Sequence, residues 1–153
     1  FYFRHYERNE STIIKLGIDI CTALEYCAQR NVVHRDIKPE NIFVSRYGDY
    51  KLGDFGIAKG FKNTYDKAKT MVGTPYYLSP EIISCKPYDS KSDIWSLGVL
   101  LYEMLTFKMP FNAGSLPMLS VKIMRGNYTP VPTTYTKDIR EIVSKCLNVD
   151  NKL

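Results

Sequence analysis

Four side chains of complementary chemistry fall within a short reach of this sequence. Asp36, Lys38 and Asn41 lie in "HRDIKPENIF" (residues 34–43), and Asp54 follows thirteen residues after Asn41. Asp36 accepts protons and hydrogen bonds, Lys38 is a mobile cation, and Asn41 offers an uncharged oxygen ligand. A carboxylate and a carboxamide oxygen on adjacent strands suit a hard cation such as Mg²⁺, which prefers oxygen ligands and keeps phosphates as partners. A lysine beside them can neutralise charge on a transferring phosphoryl group, and Asp36 can take a hydroxyl proton. The set asks for phosphoryl transfer to an alcohol.

Such a set needs elements to hold it. Upstream, Ile13, Leu16, Ile20, Leu24 and Cys27 recur at steps of three or four, which predicts a helix over residues 12–30 with one buried stripe and Ser11 as its cap. Residues 32–33 are a short valine pair leading into the polar stretch. Ile42-Phe43-Val44 and Tyr50-Lys51-Leu52 flank the turn sequence "SRYGDY" and read as a small hairpin. Residues 54–81 have little periodicity and read as one long loop, a length that in a compact domain is usually functional or disordered. Residues 92–106, "SDIWSLGVLLYEMLT", are apolar nearly all round and predict a core helix, with Trp95 inside it. Residues 115–125 and 137–147 predict two more helices, on Leu116, Leu119 and Ile123 and on Ile139, Ile142, Val143 and Cys146. The expected architecture is mostly helical, with one small hairpin and one long loop.

Composition agrees with a folded domain. The chain has 153 residues, 44% of them hydrophobic and 24% charged, and a chain this long can bury roughly two-thirds of its surface. Its net charge of +5 is spread without a run of five Lys or Arg, which argues against nucleic acid as a partner. Cys21, Cys27, Cys85 and Cys146 include no CxxC pair and match no zinc spacing, so free thiols in a reducing compartment are expected. No stretch of 18 apolar residues and no signal peptide occur, so neither a membrane partner nor secretion is expected and a cytoplasmic location is. The chain begins at Phe1 and ends at "DNKL", and it reads as a piece of something longer.

The motifs themselves resemble a known family. "HRDIKPEN", "DFG", "GTPYYLSPE" and "SDIWSLGVLLYEML" occur in the order and spacing of eukaryotic-type Ser/Thr protein kinases, across essentially the whole chain. "GTPYYLSPEI" with "KSDIWSLG" is most similar to the NIMA-related kinases. The resemblance implies an α+β, protein-kinase-like fold: the mainly α-helical C-terminal lobe with its small β-hairpin, the N-terminal lobe lying outside residues 1–153. The part covered would run from the helix before the catalytic loop through the two helices that follow the core helix, short of the domain's extreme C-terminal end.

The resemblance also implies roles, position by position. Asp36 matches the catalytic base and Lys38 the lysine that touches the γ-phosphate of ATP. Asn41 and Asp54 match the two ligands of Mg²⁺, with Mn²⁺ as a substitute. Phe43 matches the residue packed under the adenine, and Lys38, Glu40, Asn41, Phe43 and Asp54 together form this lobe's share of the nucleotide site. His34 and Phe55 match a regulatory hydrophobic spine. Asp93 matches the aspartate that holds the His34-Arg35 backbone, and Leu100 and Met104 would support the residues below the adenine. Glu81 matches a glutamate whose arginine partner would lie past Leu153. Arg35 and Lys59 match the cations that receive a phosphate on the activation segment, with Thr70 as the primary site and Thr64 as a weaker one; a phosphate's acceptor oxygens can be ordered by an arginine fork. Thr74 matches the threonine that bonds the base and the catalytic lysine.

Substrate expectations follow from the same resemblance. Lys38 and "GTPYYLSPE" imply Ser/Thr acceptors, and Ile57 implies a preference for threonine. Met71, Pro75 and Leu78 match a pocket for the residue after the acceptor. Glu40 and Glu103 match two acidic positions that can receive an arginine two residues before it. No glycine-rich loop, V-A-I-K lysine or small-lobe glutamate precedes residue 12, so the isolated 153 residues are expected to transfer little phosphate. The missing lobe in cis, protein substrates, and either an activating kinase or self-phosphorylation in trans are the implied partners. The competing expectation is an inactive, truncated lobe that serves as a binding or scaffold module.

Overall fold

The computed structural model describes residues 9–54, 75–87 and 89–149. Its elements run α1 (Glu10–Ala28), a single 3₁₀ turn (Pro39–Asn41), β1 (Ile42–Val44), β2 (Tyr50–Leu52), α2 (Pro80–Ile83), α3 (Ser90–Thr106), α4 (Leu116–Arg125) and α5 (Lys137–Cys146). The expected mostly helical chain with one antiparallel hairpin is what the structure shows.

The apolar stripe on α1 does what its spacing requires: Ile13, Leu16, Ile20, Leu24 and Cys27 are all buried. The helix starts two residues earlier than its periodicity suggests, and its cap is Asn9 rather than Ser11. The Asn9 Oδ1 accepts the Thr12 backbone N–H at 2.8 Å and also the hydroxyls of Ser11 and Thr12. One side-chain oxygen thereby satisfies an orphan amide of the first turn. The helix stops at Ala28, and Asn31 turns the chain away with φ of 55°.

Helix α3 is the centre of the molecule. It begins at Ser90 because Asp89 accepts the N–H groups of Lys91 and Ser92, at 2.9 and 3.3 Å. Trp95, Leu97, Val99, Leu100 and Leu101 are fully or almost fully buried, as a helix apolar all round demands. Trp95 stacks on Phe111 with centroids 5.6 Å apart, and Tyr128 meets Phe111 edge-on. Against the other side, α5 approaches so closely that a Cβ at Gly98 would lie 2.5 Å from the Cys146 Cβ. On α5 only Ile139 and Val143 are fully covered, while Ile142 is half exposed.

The hairpin pairs Ile42 with Leu52, Phe43 with Lys51 and Val44 with Tyr50. It is tied to α1 by Asp19, which accepts the Tyr50 N–H at 2.9 Å and the Lys15 ammonium at 2.7 Å. Within the stretch expected to be loop, residues 55–74 lie outside the described residues. Its end departs from expectation, since Pro80–Ile83 is helical, with Pro80 at the first position where a missing N–H costs nothing. Four residues are too few to show a period in sequence. Among the described residues no helix is long and apolar enough to cross a membrane.

Candidate active site

The polar loop is held from below. Asp93, in the first turn of α3 and 3% exposed, accepts the His34 N–H through Oδ2 at 2.8 Å and the Arg35 N–H through Oδ1 at 2.9 Å. Both contacts expected of Asp93 are therefore present. Arg35 takes a left-handed backbone, φ 70°, which a non-glycine residue adopts only when its surroundings impose it. Ile37, 1% exposed, pins the next turn into the core between the two polar residues Asp36 and Lys38.

His34 is fully buried and bonded at both ring nitrogens. Nδ1 accepts the Asp36 N–H at 3.3 Å, and Nε2 lies 3.0 Å from the Gly53 carbonyl. A carbonyl can only accept, so this arrangement is the Nε2–H tautomer. The ring links the loop that carries Asp36 to the strand end that carries Asp54.

Above this support the side chains converge. Lys38 Nζ donates to Asp36 Oδ2 at 2.8 Å, and Asn41 Nδ2 donates to the Asp36 backbone carbonyl at 2.7 Å and to Oδ2 at 3.1 Å. Asn41 is buried, and both donors of its amide are thus spent on Asp36. Its Oδ1 receives no hydrogen bond among the described residues, so the acceptor is the end left for a ligand. The Gly53 N–H donates to the Asn41 carbonyl at 2.9 Å, extending the hairpin register by one pair. Asp54 is the next residue, exposed and left-handed at φ 53°, without a hydrogen-bond partner among the described residues. One uncharged oxygen and one carboxylate beside paired strand ends fit a cation that takes its remaining ligands from phosphate and water. Among the described residues no group of three or more His, Cys, Asp or Glu is placed to hold a metal ion.

Phe43 is 55% exposed on β1, and its ring lies over Gly53, where a Cβ would come within 2.7 Å of it. Leu100 and Met104 are buried in the core. Glu40 is exposed on the 3₁₀ turn. Glu103 is half-buried and accepts the Tyr77 hydroxyl through Oε2 at 2.5 Å. Burial, followed by that bond and the charges of Glu103 and Glu40, pushes the Tyr77 phenol far above its ordinary range, so it remains a donor. Glu81 accepts the Ser92 hydroxyl, which joins α2 to α3. Pro75 and Leu78 are half-buried in the segment before α2.

Phe55, Ile57, Lys59, Thr64, Thr70, Met71 and Thr74 lie outside the described residues. Two participants escaped the sequence reading. Gly53 joins His34 to Asn41 through its backbone, and its position just before Asp54 was the available signal. Tyr77 occupies Glu103, and the adjacent tyrosines of "GTPYY" were the signal there.

The protein kinase domain model matches residues 2–153. The chain belongs to the protein kinase family. Among curated relatives, "Probable serine/threonine-protein kinase nek3" of Dictyostelium discoideum is 51% identical over 148 residues, 94% of the chain. Mouse "Serine/threonine-protein kinase Nek1" is 47% identical over 136 residues, and human "Serine/threonine-protein kinase Nek5" is 42% identical over 142, covering 89% and 92% of the chain. The resemblance to NIMA-related kinases therefore stands. The chain spans 13%, 11% and 20% of the length of these three relatives.

Proposed function

We propose that this chain is the catalytic floor of an ATP-dependent Ser/Thr protein kinase, transferring the γ-phosphoryl group to a hydroxyl of a protein substrate. The observation that carries the reading is the convergence of Lys38 and Asn41 on one carboxylate oxygen of Asp36, with Asp54 one residue beyond the Gly53–Asn41 backbone pair at the hairpin end. The Asp36 carboxylate aligns the acceptor hydroxyl and takes its proton as the oxygen attacks. Lys38, 2.8 Å from Asp36, stabilises the charge that develops on the transferred group. Asn41 Oδ1 and the Asp54 carboxylate would hold Mg²⁺, or Mn²⁺ in its place. When bound, the ion supplies charge neutralisation on the phosphates of ATP. Phe43 offers its exposed ring to the adenine, and Glu40 borders the same site.

The small lobe belongs in cis, ahead of the lobe described here. Arg35 and Lys59 would receive a phosphate on Thr70, added by an activating kinase or by a second molecule of the protein. Thr74 would bond Asp36 and Lys38. Met71, Pro75 and Leu78 would line the pocket for the residue after the acceptor, and Glu40 with Glu103 would receive an arginine before it. Tyr77 already holds one Glu103 oxygen, so that arginine would share the carboxylate.

The test is transfer of labelled γ-phosphate from ATP to a protein substrate by the full-length protein, followed by acid hydrolysis. Label on phosphoserine or phosphothreonine that requires Mg²⁺ and disappears in Asp54→Asn supports the reading. Nucleotide-independent binding of partner proteins, with no transfer above the Asp54→Asn level, favours a scaffold instead.

A further inference from the structure

We propose that the outer face of α4 is a docking surface for an acidic protein segment that carries apolar side chains. The inner face of this helix is complete: Leu119 and Ile123 are fully buried. Yet the side turned to solvent is also apolar, with Met118, Val121 and Met124 exposed by 60%, 50% and 41%. Their spacing of three keeps them on one side of the helix. An ordinary solvated helix carries polar residues there. Methionine is flexible and polarisable, and it recurs on surfaces that adapt to a bound chain.

Charge identifies the occupant. Lys122 and Arg125 flank the apolar side chains on the same helix, and residues 104–137 contain four cations and no carboxylate, although the whole chain has 16 Asp and Glu. The Ser84 hydroxyl reaches the Met124 sulfur at 3.5 Å, and exposed Lys86 follows Ser84 by two residues. A rim of one sign selects a partner of the other. A second copy is disfavoured, because a two-fold pairing of α4 on α4 would bring Lys122 and Arg125 of both molecules together. Nucleic acid is disfavoured because three apolar side chains occupy the middle of the face. None of these residues belongs to the site around Asp36, so the proposal stands or falls apart from phosphoryl transfer.

Fluorescence anisotropy of the full chain tests it, with three labelled probes: a short peptide of leucine and glutamate, its leucine and lysine counterpart, and a short single-stranded DNA. The glutamate peptide should bind at least about tenfold tighter than the lysine peptide. Val121→Glu should weaken it by about tenfold or more, and Lys122→Glu with Arg125→Glu should reverse the preference between the peptides. Both sites are exposed, so circular dichroism should be unchanged; if Val121→Glu does unfold, the charge variant alone decides. Equal binding of the two peptides, or binding of the glutamate peptide unaffected by the substitutions, overturns the proposal. So does tighter binding of the DNA, or sedimentation showing dimers that Val121→Glu dissociates.

Discussion

Asp93 and Arg35 are joined through backbone rather than charge: the Asp93 carboxylate accepts the Arg35 amide at 2.9 Å while the Arg35 side chain stays exposed. The core helix thereby fixes a left-handed residue directly before Asp36, and Asp36 inherits its position from α3. Removing this acceptor orphans two amides, those of His34 and Arg35. Asp93→Ala should cost about 1–3 kcal/mol for each. Denaturant unfolding measures the loss, and a cost below about 1 kcal/mol would show that the loop holds itself.

Gly98 carries a different constraint. A Cβ there would overlap the Cys146 Cβ, an atom fixed to the backbone of α5. Gly98→Ala should therefore destabilise the protein by about 1–3 kcal/mol, the usual range for overpacking, despite alanine's better helix propensity. An unchanged thermal midpoint would mean that α5 is free to shift.

Asp19 gives the hairpin a pH dependence. Burial raises its carboxyl, but the bond from Lys15 and the Tyr50 N–H outweigh that and hold it below the usual 3.8. A depressed folded-state value means that the stabilisation is complete above about pH 4 and fades as pH falls through the folded value. Thermal midpoints of the natural protein and Asp19→Asn should differ by the equivalent of up to about 1 kcal/mol at pH 6, and the gap should shrink as pH falls below the usual carboxylate range. A constant gap would assign the effect to packing.

The Phe43 ring rests on Gly53, so the flatness of residue 53 sets where the ring lies. Gly53→Ala should tilt the exposed ring and weaken ATP binding several-fold, with little change in stability. Isothermal titration of the nucleotide measures it, and an unaltered affinity would remove Phe43 from the adenine site.

Much of this was legible in the sequence because it is local. The α1 stripe, the all-apolar α3 and the hairpin follow from periods that any short window reveals. Asp36, Lys38, Asn41 and Asp54 could be named as a set because a loop and a hairpin compress them into 19 residues. What escaped depends on contacts distant in sequence or on very short elements. The Tyr77–Glu103 bond spans 26 positions. The Asn9 cap was displaced by Ser11, which has the right chemistry one residue inside the helix start. Helix α2 has too few residues to show periodicity.

The most direct test of the account is the rate of γ-phosphoryl transfer to a Ser/Thr protein substrate by the full-length protein and its Asp36→Asn variant. Asparagine keeps the size and the bonds to Lys38 and Asn41 within reach but cannot take a proton. The account predicts a fall of about 10²–10⁴-fold in kcat with nucleotide affinity little changed. A variant that transfers phosphate at the natural rate would contradict it.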